Sequence, residues 1–209
     1  MGPKVAQNFV VENAETAVPV MILAGGLSRR MGGGDKCLLP LGDRPLLAHV
    51  IERLRPQAGA IALNANGDAT RFARFGLSVV ADDAADFAGP LAGILAAMDW
   101  AQGAHPKASA VLTVPADTPF LPRDLAARLK AAGAPALVRS GGRVHPVVGL
   151  WPVGLRDDLR RTLRAEGVRK VEDWTGRLGA AIVDFAVEPI DPFFNVNTPG
   201  DLIRAAALL

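Results

Sequence analysis

Apolar residues recur along the chain in two alternating rhythms. Val18 to Leu23 is a continuous apolar run of strand length, and so are Ile61–Leu63, Leu77–Val80 and Ala110–Val114. Between them, Leu46, Leu47, Val50, Ile51 and Leu54 fall at helical spacing before Pro56, a brief helix spans Arg71 to Phe75 before Gly76, and Ile94, Leu95 and Met98 follow Gly89-Pro90-Leu91-Ala92-Gly93. A helix from Pro122 to about Ala132 closes this β-α-β-α-β-α-β-α series. Strands apolar throughout and alternating with helices predict a mostly parallel sheet covered on both faces.

After residue 135 the rhythm changes. Ala136–Arg139 and Val144–Trp151 read as strands around Ser140-Gly141-Gly142. A helix follows from Gly154 to Glu166, then a short one holding Val171 and Trp174, then a strand over Ala181–Phe185. A last helix has Thr198 as N-cap and Pro199 at its first position. Pro45 is likewise placed at the first position of the helix that begins near Leu46. The expected fold is α/β, a Rossmann-like three-layer sandwich with an elaborated C-terminal half. Residues 1–17 read as a disordered or loosely attached arm, and 18–209 as one domain.

Half of the 209 residues are hydrophobic and the net charge is only +2, so neither nucleic acid nor a membrane is indicated as a partner. No run approaches the ~18 apolar residues of a membrane span, and residues 1–17 lack the apolar region and cleavage site of a signal peptide. Cys37 is the only cysteine, which excludes an intramolecular disulfide and fits a reducing cytoplasm. It precedes Leu38 and Leu39 without an evident His or acid partner, and reads as a small core residue.

The first strand runs into Leu23-Ala-Gly-Gly-Leu-Ser-Arg-Arg-Met-Gly-Gly-Gly-Asp-Lys36. Glycines let backbone N–H groups approach a ligand, and the cations can neutralise phosphates. A P-loop is excluded because Asp35 and Cys37 flank Lys36; a dinucleotide fingerprint is excluded because Cys37 stands where its third glycine belongs. A polyphosphate cradle and a plain glycine-rich surface loop are the readings left.

Ligands of open parallel sheets bind at the carboxyl ends of the strands. There the second strand carries Asn64 and Asn66, the third Asp82 and Asp83, and the fourth Asp117. A phosphate cradle beside a rim carboxylate suggests a nucleoside polyphosphate held with Mg²⁺. Each residue also has a structural reading: Asp117 as a turn former between Pro115 and Pro119, Asp82 as a helix cap, the asparagines as turn residues, Lys36 as a surface cation. His49 and His105 look structural. His145 either reaches a second substrate or is buried and hydrogen-bonded.

The loop, with Asn64-Ala65-Asn66, Gly89-Pro90-Leu91-Ala92-Gly93, Asp117-Thr118-Pro119, His145-Pro146 and Asn195-Val196-Asn197-Thr198-Pro199, resembles the molybdenum cofactor guanylyltransferase family of nucleotidyltransferases. The resemblance runs in order from Val18 to the C-terminus. It implies transfer of GMP from GTP to molybdenum-bound molybdopterin, with Mg²⁺, and transient contact with proteins that deliver and accept the cofactor. It further implies that Leu23, Ala24, Gly25, Lys36, Asn64, Asp82 and Asp117 contact GTP and that Asp117 holds the metal. Arg30, Lys36 and Asp117 would serve the chemistry, while His145, Asn195 and Asn197 would lie toward the pterin. Residues 18–135 would then form a nucleotide-binding half and 136–209 a pterin-binding half. The choice between GTP and CTP is not fixed by the residues alone. A molybdopterin cytidylyltransferase, a nucleotide-sugar pyrophosphorylase and a non-catalytic nucleotide-binding delivery module are the competing readings.

Overall fold

The computed structural model describes residues 17–25, 35–82 and 89–209. Seven strands form the main sheet: β1 (Pro19–Leu23), β4 (Ala60–Asn64), β5 (Ser78–Val80), β6 (Ala110–Pro115), β7 (Ala136–Ser140), β8 (Arg143–Pro152) and β9 (Ala181–Phe185). Their order is β5-β4-β1-β6-β8-β7-β9. All run in one direction except β8, which is antiparallel to both β6 and β7.

The helices take both faces because the strands are buried on both. Val20 and Ile22 of β1 belong to one core, with the helices α1 (Leu46–Leu54), α3 (Leu125–Ala132) and α6 (Pro199–Ala206). Met21 belongs to the other, with α2 (Pro90–Ala104), α4 (Arg156–Ala165) and α5 (Val171–Thr175). Alternate residues of one apolar strand thus feed opposite cores. Gly149 on β8 is required by its neighbours: a Cβ there would lie 2.6 Å from the Trp151 ring. Trp151 in turn donates to Thr113 Oγ1 (2.7 Å) in the second core.

Local details depart from the sequence reading. Pro45 is the N-cap of α1 rather than its first residue, because Pro40–Leu41 (β2) and Arg44–Pro45 (β3) pair across Gly42, whose φ of 67° favours glycine. The segment Ala69–Phe75 is a 3-10 helix, ended by left-handed Gly76. The helix expected from Pro122 begins at Leu125, and that expected from Gly154 opens with a 3-10 turn, Val153–Leu155.

The chain leaves β1 toward β4 and β5, then returns to place β6 on the other side of β1. This is the topological switch point, where a crevice opens at the carboxyl ends of the strands. On the same rim lie the β7–β8 turn and the segment between β9 and α6.

Candidate active site

The backbone at the end of β1 is pinned from both sides. Ala24 N–H donates to Asn64 O (2.8 Å), and Ala116 N–H donates to Leu23 O (3.0 Å). The first turn of α2 closes over this end, and Gly93 permits it: an added Cβ would meet Asn64 Oδ1 at 2.8 Å and Leu23 Cδ2 at 3.0 Å. Pro90 at N1 leaves the first N–H groups of this helix directed at the rim, where partial positive charge favours an anion. Among the described residues, nothing lies within 4 Å of where a Cβ on Gly25 would sit. Arg30, the rest of the glycine loop, and Asp83 lie outside the described residues.

Across the switch point, Lys36 Nζ donates to Asp117 Oδ2 and to Asn197 Oδ1 (2.7 Å). Lys36 and Asp117 are each 16% exposed. A half-buried ion pair of this kind is held by geometry rather than by bulk attraction. The other oxygen, Asp117 Oδ1, is buried and has no hydrogen-bond partner among the described residues. A buried carboxylate oxygen without a donor is a place where a bound ion or water would be stabilised. A divalent cation fits such an oxygen, because Mg²⁺ is commonly held by one or two carboxylates plus substrate phosphates.

The segment carrying Asn197 is fixed by its own hydrogen bonds. Val196 N–H donates to Asp117 O (3.0 Å), and Thr118 Oγ1 donates to Asn195 Oδ1 (3.0 Å). Asp201 accepts from Asn197 N–H (3.0 Å) and Thr198 N–H (2.8 Å), Thr198 Oγ1 accepts from Asp201 N–H (3.1 Å), and the pair forms a capping box on α6. The Arg204 guanidinium, followed by these donors, holds the Asp201 carboxyl down at about 2.

A second polar group stands at the ends of β4 and β5. Asp82 accepts from Asn64 Nδ2 and from Asn66 Nδ2, each at 2.8 Å, and its N–H donates to Asn66 Oδ1 (2.9 Å). Neither asparagine is a mere turn residue, and Asp82 caps no described helix. Arg71 links this group to Lys36's neighbour, with Nε 2.5 Å from Asp35 Oδ2 and Nη2 donating to Asn66 O (2.7 Å). Sequence reading passed over Arg71 as part of a brief helix; no local pattern marks the partner it finds 36 residues earlier.

On the far side of the rim, His145 Nε2 and Ser140 Oγ are 2.8 Å apart, and Ser140 Oγ donates to Asp191 Oδ1 (2.8 Å). Asp191 Oδ1 also accepts from Phe193 N–H (3.0 Å), and the Phe193 and His145 rings are 5.0 Å apart. Burial pushes the His145 imidazole below its usual range; Asp191 opposes this and Arg143 adds to it. Neither Ser140 nor Asp191 belongs to a recognisable motif. His49 bonds Leu41 O, and the His105 ring sits against Trp100, so both are structural. Cys37 is buried, and burial above all pushes its thiol up to about 12, which excludes a thiolate nucleophile.

Comparison with known proteins points the same way. The family model described as the MobA-like NTP transferase domain matches residues 20–178. A molybdenum cofactor guanylyltransferase from a Bradyrhizobium species is 55% identical over 204 residues, which cover 95% of this chain and 96% of that protein. Among solved structures, molybdopterin-guanine dinucleotide biosynthesis protein A from Archaeoglobus fulgidus superposes with a TM-score of 0.70 at 23% identity, covering 91% of this chain and 98% of its own. A Mycobacterium tuberculosis protein in complex with manganese gives 0.65 at 21% identity, with 92% and 98% covered. These two structures share the fold.

Proposed function

This chain belongs to the MobA-like NTP transferase domain family, and as such is a nucleotidyltransferase; we propose that it transfers GMP from GTP to molybdenum-bound molybdopterin, releasing pyrophosphate. The observation that carries the site assignment is the buried Asp117 Oδ1, without a hydrogen-bond partner among the described residues, beside the Lys36 ammonium at the switch point. In this reading Leu23, Ala24 and Gly25 line the nucleotide with backbone groups. Asn64 and Asp82 contact it at the neighbouring strand ends. Residues 18–135 supply the nucleotide half and 136–209 the pterin half, with Asn195 and Asn197 facing the junction.

Asp117 would hold a divalent cation, Mg²⁺ in our proposal; the manganese complex of the mycobacterial relative supports a divalent ion in this fold. When bound, the cation supplies Lewis-acid stabilisation of phosphate charge and a template for the two substrates. The nucleophile is a phosphate oxygen already anionic, so no general base is required of the protein. Lys36, with Arg30 of the loop, would exchange its present carboxylate contact for the phosphates and stabilise charge on the leaving pyrophosphate. Asn197, bonded to Lys36, would hold that ammonium in line. No described helix is long and apolar enough to cross a membrane. We place the reaction in the cytoplasm, with transient docking of the proteins that deliver and accept the cofactor.

The test compares GTP, CTP and ATP with molybdenum-loaded molybdopterin and Mg²⁺, measuring pyrophosphate release. GTP-selective turnover is expected. A preference for CTP would transfer the chain to a cytidylyltransferase role, and no release with any nucleotide would leave a binding module.

A further inference from the structure

The Asp191–Ser140–His145 chain has a direction that its chemistry imposes. A carboxylate can only accept, and Asp191 Oδ1 already accepts from Phe193 N–H. Ser140 therefore spends its one hydroxyl proton on Asp191, at 2.8 Å. Ser140 Oγ, 2.8 Å from His145 Nε2, is left as an acceptor, so Nε2 must carry a proton. In the neutral imidazole the lone pair is then at Nδ1, which has no partner among the described residues.

The position of this imidazole follows from the fold. The residues around His145 stand at the β7–β8 turn, on the rim that carries Asp117. The Phe193 ring packs against it at a tilt and leads within two residues to Asn195, which is tied to Thr118 beside Asp117. In β8 the register jumps from Leu137↔Gly149 to Val138↔His145, so three residues bulge out and set His145 opposite Val138. The hydroxyl of the buried Ser140 reaches both the imidazole and Asp191 of the 191–197 segment.

We propose that Ser140 and Asp191 are positioning residues that fix His145 as the Nε2–H tautomer, and that its Nδ1 lone pair accepts a hydrogen bond from a ring N–H or amino donor of the pterin substrate. The inference rests on the pterin-transfer reading and deepens it, by assigning a donor-selective contact to the second substrate. The lowered affinity of the imidazole for a second proton keeps Nδ1 an acceptor near neutral pH.

Imidazole ¹⁵N spectra of the full chain test the tautomer directly: His145 is expected as Nε2–H, and an Nδ1–H form overturns the proposal. Titrating molybdopterin without GTP should shift the Nδ1 resonance, and an unmoved Nδ1 also overturns it, whether or not turnover occurs. Kinetics then separate contact from scaffold. His145→Asn keeps a polar atom near the Nδ1 position, whereas His145→Gln keeps one near Nε2. His145→Gln should raise KM for the pterin substrate ~10-fold, as expected for one lost hydrogen bond, with KM for GTP unchanged. His145→Asn should stay closer to the parent. The reverse order makes His145 a structural link to Ser140 and ends the proposal. Loss of all GTP turnover in the parent protein sinks the transfer reading instead.

Discussion

The two sides of the rim satisfy their polar atoms differently. In the C-terminal half, Asp191 and Asp201 are each surrounded by donors from their own segment or the adjacent strand, and Arg139 pairs with Asp184 across neighbouring strands. In the N-terminal half, Asp117 holds one oxygen against Lys36 and keeps the other buried, with no hydrogen-bond partner among the described residues. A group left unsatisfied in a folded protein weakens the fold unless something binds there. The first arrangement builds a platform; the second, in the function proposed above, keeps a place for a ligand. At the rim, the Lys36–Asn197 hydrogen bond and the contacts of Asn195 with Thr118 and of Val196 with Asp117 join the two, alongside the β6–β8 strand pairing.

Breaking the unsatisfied side should have the largest effect. Asp117→Ala is expected to lower metal-dependent pyrophosphate release by ~10³-fold, a loss of the several kcal/mol that a cation held there would supply. Its circular dichroism should stay near the parent's while Tm falls, because the Lys36 ammonium loses its carboxylate partner. Near-normal turnover would reject the metal assignment. Lys36→Ala should reduce kcat/KM for GTP by ~10²-fold, the scale of one lost charge-stabilising donor. Unchanged kinetics would remove Lys36 from the site.

The junction should respond less. Asn197→Ala leaves Lys36 with one partner fewer and should cost ~10-fold in turnover, about the value of one hydrogen bond to a charged group. An effect on stability alone would make Asn197 part of the platform only. On the platform itself, Thr198→Ala removes the cap of α6 and should cost about 1 kcal/mol of stability, read as a lower denaturation midpoint with GTP KM little changed.

Acid should expose the same platform. Asp201 has its carboxyl depressed from 3.8 to about 2. Its stabilising contribution is therefore complete above pH 3.8 and is lost as pH falls from there toward 2. Asp201→Asn should flatten that part of the acid-unfolding curve. An unchanged curve would mean that the capping box does not contribute to the folded state's acid resistance.

Much of this architecture could be read from residue order. The apolar runs at Val18, Ile61, Leu77 and Ala110 are strands, and the helical spacing of Leu46 to Leu54 and Ile94 to Met98 is where helices lie. Both readings work because a strand buried on two faces, or a helix buried on one, writes its environment into a short window. Asp82 and Asp117 could be singled out because strand ends are also local. Arg71, Ser140 and Asp191 could not. Arg71 meets Asp35 over 36 residues, and Ser140 meets Asp191 over 51; neither pairing has a sequence period.

The sequence by itself therefore determined which segments are strands and helices, and which polar residues stand at strand ends. Neighbouring residues decide those matters through periodicity and backbone sterics. Tertiary structure alone decided that Lys36 faces Asp117 and Asn197, that one buried Asp117 oxygen finds no donor among the described residues, and that His145 is tied through Ser140 to Asp191. Hydrogen bonds act over about 3 Å, and such distances between remote residues exist only once the sheet has set its strand order.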